Sequence, residues 1–319
     1  MRLPWARPSW KAEAERWIRE RLAEVGRSVD SIEQPHVRPW GTVFRVQTDD
    51  RVLWFKASIA QLAYEVPLLE TLATRAPEHV PRLVAADPAR AWMLIEDAGT
   101  RLTDLHPDGP PAPVWKDFMR DYAELQIDVA HAASDLIAEG VPDRRLPLLV
   151  DGFLRVLQTA RLVRPAAGKG LTDDDLCRAR SLEPRLRDAV DIVGVLGLPD
   201  SIQHDDLHAW NVCLSDGAYR FIDWGDACIG QPLLSLYVPL VHVGDEGATE
   251  VRDAYLERWT AFRTRAELAA ACDAAVMLGQ LTGMLKWELI TAGLTDEERR
   301  GYEDVIPKRV RYLLELACA

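Results

Sequence analysis

Three polar residues in the second half of this 319-residue chain constrain its fold more than any other feature. Asp206 stands five residues before Asn211, and Asp223 follows twelve residues after Asn211. Residues 212–222 hold two short apolar runs around an Asp-Gly pair, which is a strong signal for a β-hairpin. Such a hairpin brings Asn211 and Asp223 together at its open end, where their oxygen atoms suit Mg²⁺, a cation that takes few protein ligands beside water and phosphates. Asp206 is expected to face the same metal ion and its phosphates, where it is free to accept a proton from an attacking hydroxyl group.

The spacing of these residues follows the arrangement that kinases use for phosphoryl transfer. In kinases the catalytic base and one metal ligand share a loop, and a second metal ligand begins the Asp-Phe-Gly segment. Here Asp223-Trp224-Gly225 differs from that segment by one aromatic residue, and His208 stands where protein kinases carry lysine. Taken singly, a turn, a histidine or an aspartate is more often structural or solvated. The joint pattern favours the kinase interpretation.

With His208 included, the segment resembles the aminoglycoside phosphotransferase family, whose motif is written His-Gly-Asp-Leu-His-Pro-Gly-Asn followed by Ile-Asp-Trp. The resemblance implies that Asp206 is the catalytic base and that Asn211 and Asp223 hold Mg²⁺, with ATP or GTP as the phosphoryl donor.

The chain departs from the family motif at four places. Asp205, Ala209 and Trp210 replace the family's Gly, Pro and Gly, and we interpret these as linker positions. Ser235 replaces an acid that resembles the helix residue supporting the catalytic loop in kinases. A serine accepts a hydrogen bond more weakly than a carboxylate, so we expect a less rigid loop.

The N-terminal third of the chain reads as strands with one inserted helix. Strands are predicted at residues 29–37, 42–48, 51–57, 81–86 and 91–96, and helices at 10–25, capped by Ser9, and 59–74. Together with the resemblance, this pattern implies an α+β, bilobal, protein-kinase-like fold. Residues 1–98 form its small antiparallel-sheet lobe, which grips the nucleotide, and residues 99–319 form its larger helical lobe.

Lys56 is the expected cation for the nucleotide phosphates. Lysine is scarce, with six copies against 32 arginines, and Lys56 ends an alternating strand pattern. The resemblance assigns it the phosphate contact, against the alternative of an exposed strand lysine. Glu65, which begins a segment similar to the family's Glu-x4-Leu, is the expected ion-pair partner, and Glu70 is expected on the solvated face. Pro67 suggests that the helix begins near residue 66, which leaves the pairing open.

Two further segments are assigned to the nucleotide. Gly41 is the single glycine where protein kinases use three, so we expect fewer backbone contacts to the phosphates, which the Thr42 hydroxyl supplements unless that residue only begins a strand. Residues 92–99 resemble the hinge between lobes. By the resemblance, main-chain groups of Glu96, Asp97 and Ala98 bind the adenine edge.

The remainder of the chain reads as helices after a proline-rich crossing at residues 106–113. Helices are predicted at residues 114–139, 146–162, 172–196, 232–243, 249–262, 265–292 and 296–316. About 110 residues separate the hinge from Asp206, enough to wall a pocket for a small acceptor. Only about seven residues separate Gly225 from the next helix, which leaves no room for a phosphorylatable activation segment and disfavours a protein kinase.

Composition limits the partners. The net charge of −12 disfavours nonspecific nucleic-acid binding, which needs clustered positive charge, and is compatible with a cationic acceptor. No run of eighteen apolar residues occurs, so we expect a cytoplasmic protein that does not span a membrane. The sequence leaves the oligomeric state open.

The acceptor is the least constrained element of this interpretation. The resemblance implies a small molecule with a hydroxyl group, such as an aminoglycoside or amino sugar, with a neutral sugar, choline or homoserine as alternatives. Asp226, Trp287 and Glu288 are the candidate acceptor-binding residues, against the readings of a solvated aspartate, a buried tryptophan and a surface glutamate. A noncatalytic nucleotide-binding module of the same fold is the alternative of a different class.

Overall fold

A computed structural model describes residues 3–164 and 170–317 of the chain. Its N-terminal part is a five-stranded antiparallel sheet in the order β1-β2-β3-β5-β4. The strands are β1 (Val29–Arg38), β2 (Gly41–Thr48), β3 (Val52–Ser58), β4 (Leu83–Asp87) and β5 (Trp92–Glu96). One helix, α2 (Glu65–Arg75), is inserted between β3 and β4. This is the predicted antiparallel sheet with its single inserted helix.

The sheet buries one face against an N-terminal helix, α1 (Pro8–Glu24). Burial alternates along β2 and β3, as expected of strands with one face in a core. Phe44 and Phe55 from these strands contact a cluster that includes Trp17 of α1. The helix begins two residues earlier than predicted, and Ser9 is not its cap. Pro8 occupies the first turn, where the backbone amide that proline lacks would have no hydrogen-bond partner within the helix.

Helix α2 begins later than the predicted residue 59. A short 3₁₀ turn, Ala60–Leu62, precedes it, and the helix proper starts at Glu65. Pro67 is the physical reason, because proline is tolerated only in the first turn of a helix. The late start places Glu65 in that first turn, where it is buried and faces β3.

The larger C-terminal part is mostly helical. Its helices are α3 (Leu102–Leu105), α4 (Ala112–Val129), α5 (Ala133–Ala138), α6 (Leu146–Gln158), α7 (Ala160–Val163), α8 (Asp173–Ser181), α9 (Glu183–Gly194), α10 (Tyr237–Val243), α11 (Asp245–Trp259), α12 (Arg265–Ala270), α13 (Cys272–Ala292), α14 (Asp296–Arg299) and α15 (Val305–Leu316). No helix within the described residues is both long and apolar enough to cross a membrane.

Five of the long predicted helices are each divided in two. The 172–196 helix, for example, breaks between α8 and α9, where Pro184 lies in the first turn of the second segment. The 296–316 helix breaks at Gly301, whose φ of +93° is incompatible with a continuous helix. Apolar residues recur on both sides of the break between α8 and α9, so hydrophobic periodicity alone does not reveal that interruption.

Short strands within the helical part position the central polar residues. They are β6 (Thr100–Arg101), β7 (Ser201–Gln203), β8 (Val212–Ser215), β9 (Ala218–Phe221) and β10 (Cys228–Gly230). β8 and β9 form the predicted hairpin, with Asp216 at φ 53° and Gly217 at φ 81° in the two-residue turn. Positive φ at both turn residues is the conformation that Asp-Gly favours. Asn211 and Asp223 therefore flank the open end of this hairpin.

Candidate functional site

A cavity of about 640 Å³ lies between the sheet and the helical part. It is lined from both sides, by β1–β3 and the end of β5 above and by the β7–β9 region, α13 and α15 below. The predicted site residues line this cavity, except for Glu65, Asp97 and Glu288. The structure therefore brings together residues that lie as far apart in sequence as Thr42 and Trp287.

Lys56 is held between two carboxylates on one side of the cavity. Its Nζ atom lies 2.5 Å from Glu65 Oε1 and 2.5 Å from Asp223 Oδ1. Burial by itself would lower the pKa of Lys56, but Asp223 and Glu65 together raise it above the ordinary value. The same burial raises the pKa of Glu65 to about 7, even though Lys56 acts in the opposite direction. The buried Glu65 thus orients the Lys56 ammonium group from the protein interior, and the exposed Asp223 contacts it from the cavity.

Gly225 makes this close grouping possible. A Cβ atom at this position would lie 3.1 Å from Glu65 Oε2 and 3.5 Å from Lys56 Nζ. Asp223, two residues earlier, adopts the left-handed conformation with φ 65°, which is uncommon for a residue other than glycine. The Asp-Trp-Gly segment therefore turns sharply where it presents its carboxylate, and its glycine leaves room for the ion pair.

Asp206 and Asn211 contact each other across the loop that joins β7 to β8. Asn211 Nδ2 donates to the Asp206 carbonyl oxygen at 2.9 Å and to its carboxylate at 3.2 Å. His208 Nε2 lies 3.2 Å from the same carboxylate. With its amide nitrogen so engaged, Asn211 keeps its side-chain oxygen for another partner. The two ends of the Asp-x4-Asn spacing are therefore mutually oriented by their own hydrogen bonds.

Lys286 is a site residue that the sequence analysis missed. It lies on α13 with only 3% of its side chain exposed. Its Nζ atom lies 3.3 Å from Asp206 Oδ1 and 2.9 Å from Asp226 Oδ2, and it donates to the Asp205 carbonyl oxygen at 3.0 Å. The scarcity of lysine, which identified Lys56, applies equally to Lys286, and a single lysine within the apolar helix α13 was a second available signal.

Lys286 affects the ionisation of both carboxylates beside it, with opposite net results. Burial would raise the pKa of Asp206, but Lys286 and then His208 hold it well below the ordinary range. Burial dominates at Asp226 and raises its pKa to about 6, although Lys286 opposes this shift. Asp206 is therefore ionised throughout the physiological pH range, and Asp226 is the carboxylate of the pair that takes up a proton more readily.

Asp205 is not the linker residue that the motif comparison suggested. It is buried at φ 59°, which explains why a glycine suits this position and why aspartate, one of the few residues that tolerate this region, can replace it. Arg144 donates to its Oδ2 at 3.0 Å and the Thr282 hydroxyl to its Oδ1 at 2.6 Å. The Tyr237 hydroxyl donates to its carbonyl oxygen at 3.0 Å.

Ser235 supports the loop that joins β7 to β8 only through other side chains. Its hydroxyl accepts a hydrogen bond from Gln126 at 3.1 Å and lies 3.4 Å from the Tyr122 hydroxyl. The loop entry is instead held by Tyr122, whose hydroxyl accepts from the His204 amide at 2.8 Å. The acid that the family carries at position 235 is thus replaced by contacts from other elements, chiefly those made to Asp205.

The turn between β1 and β2 closes over the cavity with a single glycine. A Cβ atom on Gly41 would lie 2.9 Å from the Ala57 carbonyl oxygen, so β2 and β3 approach closely there. The Thr42 hydroxyl donates to the His36 carbonyl oxygen at 2.7 Å and accepts from Gln34 Nε2 at 2.9 Å. Thr42 lines the cavity, but both hydrogen bonds of its hydroxyl group join β2 to β1. The expected phosphate contact would require the hydroxyl to give up one of these bonds.

The predicted hinge segment follows β5 directly. Glu96 and Ala98 line the cavity. The Asp97 carboxylate turns away from it, because it accepts from Trp54 Nε1 at 2.7 Å and from the Gly99 amide at 2.8 Å. Main-chain contact to a base at this segment is compatible with these positions, since none of the three side chains blocks the cavity edge.

The candidate acceptor residues divide into two groups. Asp226 and Trp287 line the cavity, and the Trp287 ring contacts Trp40 from the β1–β2 turn at a centroid distance of 5.5 Å. The structure does not bring Glu288 into the cavity, because its carboxylate pairs with Arg155 at 2.9 Å on the outer side of α13. Lys286 and Trp287 line the cavity, and a further step of about 100° around α13 carries Glu288 out of it.

Comparison with known proteins supports the same fold. A family model described as the phosphotransferase enzyme family matches residues 40–271, more than half of the chain. No curated protein sequence matches. Among solved structures, the chain is similar to APH(2")-IIia in complex with GDP and kanamycin, at 16% identity over 96% of this chain and 98% of that one, with a TM-score of 0.59.

Two further solved structures are similar over nearly their full length. Macrolide 2'-phosphotransferase MphH from Brachybacterium faecium is 17% identical, over 92% of this chain and 97% of that one, with a TM-score of 0.60. Choline kinase LicA from Streptococcus pneumoniae is 15% identical, over 96% of this chain and all of that one (100%), with a TM-score of 0.58. The predicted bilobal kinase-like α+β fold is confirmed.

Proposed function

The chain belongs to the phosphotransferase enzyme family, and we propose that it moves the γ-phosphoryl group of ATP or GTP, with Mg²⁺, to a hydroxyl group of a small molecule. One observation carries the proposal. Asp206, Asn211, Asp223 and Lys56 share one cavity, with Asn211 bonded to Asp206 and Lys56 to Asp223. These are the four functional groups that the kinase reaction requires.

The residues fit a Mg²⁺ site. Asp223 is 59% exposed at the cavity, and Lys56 occupies one of its two carboxylate oxygens. Asn211, whose amide nitrogen bonds to Asp206, would supply its side-chain oxygen as the second ligand. Two hard oxygen donors, with phosphates and water for the other positions, match the preference of Mg²⁺. When bound, the ion would offset negative charge on the phosphoryl group during its transfer.

Asp206 is the proposed base. As the acceptor oxygen bonds to the γ-phosphorus, the bond from that phosphorus to the leaving nucleoside diphosphate breaks, and the acceptor proton passes to the Asp206 carboxylate. A carboxylate with so low a pKa is a weak base, so its larger contribution is to orient the hydroxyl group through a hydrogen bond. Lys286, His208 and Asn211 hold it in place for that purpose.

Lys56 and the hinge complete the proposed donor site. Lys56, positioned by Glu65, binds the nucleotide phosphates, while main-chain groups of residues 96–98 bind the base. On this proposal residues 1–98 act as the nucleotide-gripping lobe and residues 99–319 supply the catalytic loop and the acceptor wall. Amino sugars, neutral sugars, choline and homoserine all remain acceptors to be tested.

Substitution of the base tests this function directly. In an assay of nucleoside diphosphate release over an acceptor panel with Mg²⁺ and ATP or GTP, Asp206→Ala should lower acceptor-dependent turnover by about 100-fold to 10,000-fold, because it removes the group that orients the acceptor hydroxyl and takes its proton. Nucleotide affinity should stay close to that of the wild type. Asp216→Asn, which removes the same charge at the exposed hairpin tip, is the matched control and should keep full activity.

The same assay separates catalysis from simple nucleotide binding. A noncatalytic module would be stabilised thermally by Mg²⁺ and ATP, yet it would release no ADP with any acceptor, with or without Asp206. Equal turnover by wild type and Asp206→Ala would reject the assignment of the base.

A further inference from the structure

The acceptor end of the cavity lies beyond Asp206, between α13, α15 and the β1–β2 turn. Trp40, Trp287 and Tyr302 meet there as an aromatic cluster, with centroid distances of 4.9 Å between Trp40 and Tyr302 and 5.9 Å between Trp287 and Tyr302. Val305 and Arg309 of α15 line the cavity beside Trp287. This surface combines an apolar aromatic wall with the guanidinium group of Arg309.

Three carboxylates near this end already have cationic partners. Asp226 is paired with the buried Lys286 at 2.9 Å. Glu288 is paired with Arg155 outside the cavity, and Asp304, at the start of α15, is paired with Lys308 at 2.8 Å. A polycationic acceptor requires several open carboxylates, because each of its ammonium groups loses hydration on entering the cleft. These three carboxylates are not open in that sense.

Arg309 is in the opposite situation. Within residues 3–164 and 170–317 no carboxylate forms an ion pair with it, and its guanidinium carbon lies 5.9 Å above the centre of the Tyr237 ring. An arginine side chain keeps its charge at any physiological pH. Arg309 is half-buried and faces the cavity, so its charge is one that a ligand can balance.

The surroundings of Arg309 hold it at this position. A Cβ atom on Gly283 of α13 would clash with the guanidinium group, so the glycine makes room for it. The Tyr237 ring beneath it is fixed in turn, because the Tyr237 hydroxyl donates to the Asp205 carbonyl oxygen. Arg309 is thereby linked through one side chain to the residue that precedes the proposed base.

We propose that Arg309 binds an anionic group of the acceptor, a carboxylate or a phosphate ester, while the body of the acceptor contacts Trp287 and its hydroxyl group points to Asp206. The proposal rests on the proposed function, since it names the substrate class of the same site. A guanidinium group binds such anions through two parallel hydrogen bonds, which gives orientation as well as affinity. An anionic hydroxyl compound is therefore preferred over its neutral or cationic counterpart.

A set of probes that share one ring isolates the effect of charge. D-Glucuronate, D-glucose 6-phosphate, D-glucose and D-glucosamine differ chiefly in the charge of one substituent. A second pair, homoserine and 3-aminopropanol, differs only by a carboxylate. Binding is measured with Mg²⁺ and ADP present, through the fluorescence of the tryptophans in the wall and through thermal stabilisation.

At least one anionic member of a set should bind about tenfold or more tightly than its neutral and cationic counterparts, the usual size of a charged hydrogen-bonded contact. The carboxylate and phosphate arms identify which anion is favoured. Arg309→Gln should remove the preference, and Arg309→Lys should retain part of it. Arg300→Gln, which removes one exposed positive charge from the turn before the same helix, is the matched control and should leave the preference intact.

Three results would overturn the proposal. The first is that glucosamine binds as tightly as glucuronate and glucose 6-phosphate, or more tightly, and 3-aminopropanol as tightly as homoserine, which carries the additional carboxylate. The second is a preference for anions that survives Arg309→Gln. The third is an Arg309→Gln defect confined to the affinity for ATP, which would place the guanidinium on the donor phosphates.

The outcome is independent of the test of function. If Asp206→Ala abolishes turnover of a cationic acceptor, the phosphotransfer assignment stands and the anion proposal fails. If anions bind through Arg309 but no acceptor yields ADP, the binding site stands and the catalytic assignment fails.

Discussion

Two buried lysines, Lys56 and Lys286, are built into the site in similar ways but with different surroundings. Each lies between two carboxylates: Lys56 between Glu65 and Asp223, and Lys286 between Asp206 and Asp226. The Asp223 side chain is 59% exposed, against 34% for Asp206 and 24% for Asp226, and Lys286 also donates to a backbone carbonyl. The group around Lys56 is therefore the more open to a ligand, and the group around Lys286 is the more enclosed.

This difference indicates a division of roles. A lysine whose partner is open to the cleft can exchange that partner for a phosphate or a metal-bound carboxylate without leaving a buried charge unpaired. A lysine enclosed with two carboxylates and a carbonyl cannot, because separating a buried ion pair is costly. We therefore expect the donor side to control nucleotide binding and the loop side to control the position and ionisation of Asp206.

The largest expected effect comes from breaking the loop support at Arg144. Arg144→Met leaves the buried Asp205 carboxylate without its cation, so the free energy of unfolding should fall by about 3–5 kcal/mol. Denaturant unfolding measures this loss. Arg145→Met, which removes the neighbouring, more exposed arginine paired with Asp143, is the control and should cost about 1 kcal/mol or less. Similar losses for both variants would show that the loop does not depend on this ion pair.

The second prediction compares the two lysines by the pH dependence of turnover. Lys286→Met removes the cation that most lowers the pKa of Asp206, so that pKa should rise toward the ordinary range of a carboxyl group, and the acid limb of the pH–rate profile should move to higher pH. Lys286→Arg keeps the charge and should keep the limb near its original position.

Lys56→Met supplies the contrast. It should lower kcat/KM by about 100-fold to 1000-fold through lost phosphate contact, without moving the acid limb, because Lys56 acts on Asp223 and not on Asp206. An acid limb that moves in Lys56→Met and stays in Lys286→Met would reverse the roles assigned to the two lysines.

The smallest expected effect concerns the pH dependence of stability at Asp226. Burial raises the pKa of Asp226 to about 6 in the folded protein, above its ordinary value of 3.8. A carboxyl group with a raised folded pKa contributes stability below its unfolded pKa, and that contribution is lost as pH rises through the folded pKa. Relative to Asp226→Asn, the wild type should lose about 1–3 kcal/mol between roughly pH 4 and pH 7. Unfolding curves that stay parallel across this range would contradict the assignment.

Much of the fold was predictable because its signals are local. The five strands follow from alternating patterns and the β8–β9 hairpin from its Asp-Gly turn, whose conformation depends on those two residues. The helix breaks near Pro184 and Gly301 were not predicted. Apolar residues continue on both sides of the break near Pro184, and the choice between a bent and a continuous helix depends there on packing with other helices.

The candidate site divides in the same way. The Asp206, Asn211 and Asp223 grouping was predictable, since a short loop and one hairpin bring the three together within 18 residues of chain. The side-chain directions of Thr42 and Glu288 were harder to predict. The Thr42 hydroxyl has a partner in β1, and the direction of Glu288 depends on how α13 is rotated against its neighbours.

The spacing of Asp206, Asn211 and Asp223 is therefore enough to predict that they lie close together, because a short loop and a tight hairpin have few possible backbone conformations. Folding decided which groups surround that chemistry. Lys286 reaches Asp206 across 80 residues and Arg144 reaches Asp205 across 61, and no short-range pattern relates them. These contacts, and the open guanidinium of Arg309 at the acceptor end, exist only because separate helices pack around the catalytic loop. The motif determines the reaction, and the packing of those helices determines how Asp206 is held and what acceptor it can meet.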